Sequence, residues 1–270
     1  MSLQTIFGKD KNIVIGAVHF PPLPGFPDFP GMTIAIENAL RDAKAFEEGG
    51  VDGIIFENNY DVPHTEKVGM EVVAAMSVIG AEIKRHSRLP IGVSVLWNDY
   101  QAALGIAKAL DLSFIRVPVF VDSVRTNYGD IHGDASDVLA FRRHIGAEGV
   151  ALFTDIHVKH AELLKPEPII AAANRAVEAG ADALIVTGSW TGDAPLISEL
   201  RDVREAVQDF PILCGSGVDA TNVAELFEQA NGAIVSTALK EETSEEHAAN
   251  VKPYDARISF EKTKQLVAAI

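Results

Sequence analysis

Pro211-Ile212-Leu213-Cys214-Gly215-Ser216-Gly217-Val218 is followed about twenty residues later by Gly232-Ala233-Ile234-Val235-Ser236-Thr237-Ala238-Leu239-Lys240. Each is a short apolar run that ends in small residues. Gly215, Ser216 and Gly217 let a backbone approach an anion closely, and Asp219 is placed to cap a new helix. The second run closes on Ser236, Thr237 and Lys240. Two successive runs of this kind read as the last two strands of a (β/α)8 barrel with a phosphate site between them. The expected ligand is a small phosphorylated substrate.

The same alternation extends back through the chain. Strand-like runs fall at 13–18, 51–56, 90–96, 112–117, 150–155, 182–187, 211–214 and 232–237. Several are nearly continuous in β-branched residues, Leu, Ile or Phe, as parallel strands covered on both faces require. Helix-like segments lie near 32–48, 66–87, 99–109, 134–146, 166–179, 196–207, 219–229 and 258–269. Cap or proline signals at Thr33, Thr65, Asp99, Asp134, Pro168, Pro195 and Asp219 mark many of their starts. Glu48-Gly49-Gly50-Val51-Asp52-Gly53 and Glu178-Ala179-Gly180-Ala181-Asp182-Ala183 share a punctuation in which glycine ends a helix and aspartate precedes a strand. Eight alternations favour a closed barrel over the alternative, an open doubly wound sheet.

With 270 residues, 47% of them apolar, the chain matches the roughly 250 residues of such a barrel, and a single domain is expected over 1–270. No linker divides it. The stretch 20–31 holds five prolines and three phenylalanines. It is too apolar for a spacer and is expected to fold over the barrel mouth as a rim or lid. The polar, acidic stretch 241–250 is expected to be an exposed excursion.

A formal charge of −15 argues against nucleic acid and anionic membranes, which need basic patches. A phosphate site needs only local amides and one cation. The single cysteine, Cys214, leaves no disulfide framework. No apolar run approaches the roughly 18 residues of a membrane span, and the start lacks a signal-like core, so a cytoplasmic location without membrane insertion is expected. There is no G-x-G-x-x-G fingerprint and no P-loop, so neither NAD nor ATP is indicated.

In a barrel, chemistry sits where strands end. The first strand ends at His19, the second at Glu57 and Asn58, the third near Asn98, the fourth at Arg116 and the sixth at Thr187. The fifth delivers Asp155-Ile156-His157-Val158-Lys159. If that strand persists, Asp155, His157 and Lys159 share one face, and acid, imidazole and ammonium line the mouth for proton transfer. A solvated loop is the plainer reading. His19 and Glu57 are further acid or base candidates. Asn58, Asn98, Arg116 and Thr187 are substrate-binding candidates, with loop capping as the plainer role for the asparagines. Arg116, inside an apolar run, must meet carboxylates or an anion, and Asp155 is the obvious partner. Glu57, Asp155 and His157 have the right donor types for a divalent metal, but the spacing is no local motif. No cofactor is therefore expected, with a divalent metal left open. An imine-forming lysine needs burial or cationic neighbours. The sixth strand holds no lysine, and Lys159 is expected to be too exposed for that role.

Ile15-Gly16-Ala17-Val18-His19-Phe20-Pro21-Pro22-Leu23-Pro24-Gly25, Gly53-Ile54-Ile55-Phe56-Glu57-Asn58, Asp155-Ile156-His157-Val158-Lys159-His160, Thr187-Gly188 and Gly215-Ser216-Gly217-Val218 resemble the BtpA/SgcQ family of TIM-barrel proteins. The resemblance implies a fold like that of the ribulose-phosphate-binding barrels. It also implies either of two activities: an enzyme of sugar metabolism, or a factor for assembly or stability of photosystem I. It transfers no established catalytic residues. The residues themselves favour an enzyme acting on a phosphorylated sugar or ribosyl compound. Gly215, Ser216, Gly217, Ser236 and Thr237 would hold the phosphate, and Glu57, Asp155, His157 and Lys159 would face the reacting sugar. Isomerisation, aldolase-like cleavage and glycosidic-bond cleavage fit this set. The alternative is a non-catalytic assembly factor for a membrane complex. Homo-oligomerisation is left open.

Overall fold

A computed structural model describes residues 1–241 and 253–270. The strands are β1 (Ile13–His19), β2 (Gly53–Glu57), β3 (Ile91–Ser94), β4 (Phe114–Val117), β5 (Ser123–Thr126), β6 (Gly129–His132), β7 (Ala151–Ile156), β8 (Ala161–Leu163), β9 (Ala183–Val186), β10 (Ile212–Cys214) and β11 (Gly232–Val235). Eight close into a barrel in the order β1-β11-β10-β9-β7-β4-β3-β2, each paired in parallel with its neighbours. The closed barrel replaces the open-sheet alternative. Helices Met32–Gly49, Met70–His86, Tyr100–Leu110, Ala135–His144, Ile169–Glu178, Ile197–Val207, Val223–Leu226 and Phe260–Ala268 follow the barrel strands.

Two apolar layers hold this arrangement. Ile13, Ile15, Ile55, Phe114, Phe153, Ile185, Leu213 and Ile234 fill the barrel interior. A short helix, Leu3–Phe7, adds Leu3, Ile6 and Phe7 to that cluster; Phe7 packs on Phe114, which stacks on Phe153 at 4.6 Å. A larger cluster lies between the strands and the helices. The shared Gly-x-Asp punctuation has a physical basis. Gly50 and Gly180 take φ of 92° and 94° to end their helices. Asp52 then accepts the Val14 amide at 2.8 Å while its own amide donates to Val14 O, and Asp182 does the same with Leu152. Each aspartate clips the start of one barrel strand to the next.

The caps divide. Asp99 and Asp134 accept amides of their first turns, from Ala102 and Asp137. Thr33 and Thr65 do not cap: Gly31 and Gly69 hold those positions. Asp219 does not cap either, because Thr221 takes its carboxylate through both amide and hydroxyl, and the following helix shrinks to Val223–Leu226.

The proline-rich stretch is not a lid. Phe20 and Leu23 are buried in the outer core, Phe20 stacks on Phe56 at 5.3 Å, and the Leu23 amide donates to Asp61. Apolar side chains are better buried there than held over a wet mouth. The rim is built instead by β5 and β6, an antiparallel hairpin joined by β8. Val124 and Ile131 of this hairpin pack with Trp97, Val119 and Val158 at the strand ends. The expected acidic excursion lies, beyond Glu241, outside the described residues. No helix among the described residues is long and apolar enough to cross a membrane.

Candidate active site

β1 and β2 run in register with His19 beside Glu57. Both strands end there, so both side chains arrive at the carboxyl-terminal face of the barrel, 3.8 Å apart between His19 Nε2 and Glu57 Oε2. From β4, Arg116 crosses the interior. Its Nε and Nη2 each donate to an Asp155 carboxylate oxygen at 2.8 Å, and Nη1 donates to Glu57 Oε1 at 3.4 Å. All three side chains are buried. Burial alone would lower the guanidinium's pKa, but the charges and hydrogen bonds of Asp155 and Glu57 outweigh it and leave the pKa above its usual value. Such a pair is held less by net stability than by the cost of separating its members.

Above this floor lies a cavity of about 560 Å³. His19, Glu57, Arg116 and Lys159 border it below, and Gly215–Val218 with Ser236–Ala238 form one wall. His19 is held well below the ordinary imidazole pKa, first by burial and then by Lys240, Lys159 and Arg116. It is therefore neutral. Asn59 Nδ2 donates to its Nδ1 at 3.3 Å, which leaves the ring proton on Nε2, facing Glu57.

The wall has two parts. After β10, Gly217 takes a φ of 63° and packs flush against the 193–194 backbone. The Ser216 hydroxyl accepts the Gly188 amide at 2.9 Å and donates to Asp193 O at 2.7 Å, so it ties two loops together and is not free to hold an anion. After β11, Thr237–Leu239 forms a 3₁₀ turn whose first bond runs from the Leu239 amide to Ser236 O. The Thr237 and Ala238 amides precede that bond and have no partner within the turn. Ser236 Oγ is buried with no protein partner among the described residues.

The fifth barrel strand departs from expectation. β7 ends at Ile156, and His157 takes a φ of 51°. The three side chains therefore do not share a face. Asp155 points into the barrel against Arg116. His157 turns away from the mouth, its amide held by Asp122 at 2.9 Å, and borders an adjacent cavity. Lys159 returns to the mouth, with its amide on Thr187 Oγ1 at 3.0 Å and Nζ 3.5 Å from Gly215 O. Lys159 is half-buried, and its pKa falls to about 8, first through burial and then through Arg116, against the opposing pull of Glu57 and Asp155.

Three substrate-binding candidates have other work. Asn58 is buried, accepting the Leu96 amide at 2.7 Å and donating to Asp61. Asn98 both donates to and accepts from the Val119 backbone at 2.9 Å. Thr187 holds the Lys159 amide and faces the adjacent cavity. Among the described residues no group of three His, Cys, Asp or Glu side chains is placed to hold a metal: Arg116 occupies both carboxylates and His157 points elsewhere.

The sequence reading missed the aromatic rim. His64 meets Tyr128 edge-on at 5.4 Å, and His160 meets Trp190 at 4.9 Å. Burial is the first cause holding both imidazoles near a pKa of 4, so neither carries charge at neutral pH. Tyr128 sits in the turn between β5 and β6. The signal for that hairpin was present in Ser123-Val124-Arg125-Thr126-Asn127-Tyr128-Gly129-Asp130-Ile131, where two short strands flank a two-residue turn.

A model described as the BtpA family matches residues 10–259. A protein of Archaeoglobus fulgidus is 41% identical over 85% of this chain and 92% of its own length. A Synechocystis protein named photosystem I biogenesis protein BtpA is 39% identical over 86% of this chain and 82% of its own. Among solved structures, (S)-3-O-geranylgeranylglyceryl phosphate synthase from Thermoplasma acidophilum, in complex with sn-glycerol-1-phosphate, aligns with a TM-score of 0.61 at 14% identity. That match covers 100% of this chain and 98% of the synthase. The tryptophan synthase α-subunit from Pyrococcus furiosus aligns at 0.57 and 17% identity, over 86% and 90% of the two chains. At these identities the structural matches show the shared barrel alone.

Proposed function

The chain belongs to the BtpA family, and from the geometry of its barrel mouth we propose that it is an enzyme acting on a small phosphorylated sugar or ribosyl compound. One observation carries this reading. The loops after β10 and β11, the seventh and eighth barrel strands, form one wall of the cavity over a floor of Glu57, Arg116, Lys159 and His19. Phosphate sites of (β/α)8 enzymes use these two loops. The Gly217 and Val218 backbone, the leading amides of the 3₁₀ turn and Ser236 Oγ would hold the phosphate. Glu57, with the neutral His19 beside it, would move protons at the sugar. Arg116 would keep Glu57 aimed at the cavity.

The test has two stages. Crystals soaked in phosphate or sulfate should carry the anion between Gly217 and Thr237, and an anion found elsewhere removes the basis of the reading. A screen of phosphorylated pentoses, hexoses and nucleosides should then find a turnover that Glu57→Gln abolishes. The name of the Synechocystis relative favours a second reading, a non-catalytic factor for a membrane complex. Absence of turnover together with specific capture of a membrane-complex subunit would select it.

A further inference from the structure

We propose that Lys159 is a nucleophile that forms an imine with its substrate, so that the cavity takes a phosphorylated aldehyde or ketone. The proposal deepens the reading above and rests on it for the phosphate end of the ligand only. The expectation that Lys159 is too exposed fails on the structure. The side chain leaves the turn after β7 and lies in the mouth, bordering the cavity beside Glu57 and Arg116. Its Nζ reaches Gly215 O, where a side chain on Gly215 would come within 3.6 Å of Arg116 Nη2. The amine thus lies in the mouth above the ionic floor, within reach of the Arg116 charge.

The pairing of charges is as informative as the position. A lysine in a desolvated place ordinarily keeps a carboxylate to balance its charge. Glu57 and Asp155 are both engaged by Arg116, and among the described residues no carboxylate oxygen lies within 4.0 Å of Lys159 Nζ. Its hydrogen-bond contact is the Gly215 carbonyl at 3.5 Å, the long limit of a hydrogen bond. The groups facing it are His19 from β1, Glu57 from β2, Arg116 from β4, Asp155 from β7 and His160 from its own turn. Both imidazoles feel the charge of Lys159 and are themselves neutral. Burial and a fixed cation are the two conditions that supply a neutral amine near physiological pH, and the pKa of about 8 agrees with them.

The step balances without any further reagent. The neutral amine adds to the carbonyl carbon, and the resulting carbinolamine takes a proton on its oxygen and expels water. The net change is one ammonium and one carbonyl to one iminium and one water. The iminium nitrogen then draws electrons from the neighbouring C–C or C–H bond. Glu57, with His19 Nε2–H beside it, is placed to accept the proton released there.

The experiment uses the whole protein with glyceraldehyde phosphate, dihydroxyacetone phosphate and unphosphorylated glyceraldehyde, each trapped by borohydride and mapped by peptide mass spectrometry. The expected result is one reduced adduct on the Lys159 peptide, lost in both Lys159→Arg and Lys159→Met. At pH 8 a lysine of pKa about 8 is half neutral, so it should label roughly 100-fold faster than an ordinary lysine of pKa about 10.4. Labelling spread over surface lysines, or unchanged in either variant, overturns the proposal. If free glyceraldehyde labels Lys159 as well as its phosphate ester does, and inorganic phosphate does not compete, the imine stands and the phosphate reading falls. If sulfate occupies the Gly217 wall and no adduct forms, the imine falls alone.

Discussion

Gly217→Ala tests the proposed phosphate wall most directly, because the structure supplies its own control. Gly217 and Gly8 have similar positive φ angles, 63° and 72°. A Cβ on Gly8 meets nothing within 4 Å, whereas one on Gly217 lies 2.0 Å from Ala194 N and 2.2 Å from Asp193 C. Both substitutions carry the left-handed penalty of an L-residue, about 1–2 kcal/mol. Only Gly217→Ala must also push backbone aside, by more than about 1 Å to regain ordinary contact at 3.4 Å. That shift breaks the two hydrogen bonds of Ser216, each contributing about 1 kcal/mol. Gly217→Ala should therefore cost about 3–4 kcal/mol and Gly8→Ala about 1–2, measured by urea unfolding. Phosphate linkage is the second readout. If the proposed site binds phosphate, a concentration 100 times its dissociation constant would stabilise the native chain by about 2.7 kcal/mol. A displacement of this size that weakens binding about 100-fold leaves about 0.4 kcal/mol at the same concentration. The reasoning is refuted if Gly217→Ala unfolds within 1 kcal/mol of Gly8→Ala and keeps the full phosphate effect.

Two further outcomes follow from buried charge. Arg116→Met strands Asp155 in the barrel interior and should cost about 3–5 kcal/mol in urea unfolding, while Arg116→Met with Asp155→Leu should recover more than half; equal losses in the single and double variants would contradict the pairing. Asp61 is buried, and its pKa is raised to about 6 by burial, against hydrogen bonds from Leu23 and Asn58. A raised carboxyl pKa means that the fold holds a proton which the unfolded chain has already released. Its stabilisation is full below about pH 4 and lost as pH rises through 6, roughly 3 kcal/mol in all. The difference between wild-type and Asp61→Asn stability, measured from pH 4 to 8, should carry that slope, and a difference flat with pH would place the titration elsewhere.

Much of the barrel was legible because its signals are local. Continuous apolar runs mark strands buried on both faces, and Gly50-Val51-Asp52 or Gly180-Ala181-Asp182 mark where one helix stops and the next strand is clipped on. The need of Arg116 for a carboxylate was legible too, since a guanidinium inside Phe114-Ile115-Arg116-Val117 has to be paired. The side of the barrel that His157 faces was not. That depends on one left-handed residue after β7, a conformation that a non-glycine residue adopts only when its surroundings compensate, here through Asp122. The amides of Asn58 and Asn98 likewise look available in the sequence, yet backbone distant in the chain has claimed them.

The sequence by itself determined the architecture and the end of the barrel where the candidate site lies. Periodicity, glycine stops and strand-end residues are properties of short segments, and eight of them leave one economical closure. The tertiary structure decided which strand-end groups meet. It gave both buried carboxylates to Arg116, turned His157 out and returned Lys159 to the mouth beside a cation. Desolvation and charge pairing act through space between residues about forty to a hundred positions apart, so no local pattern records them.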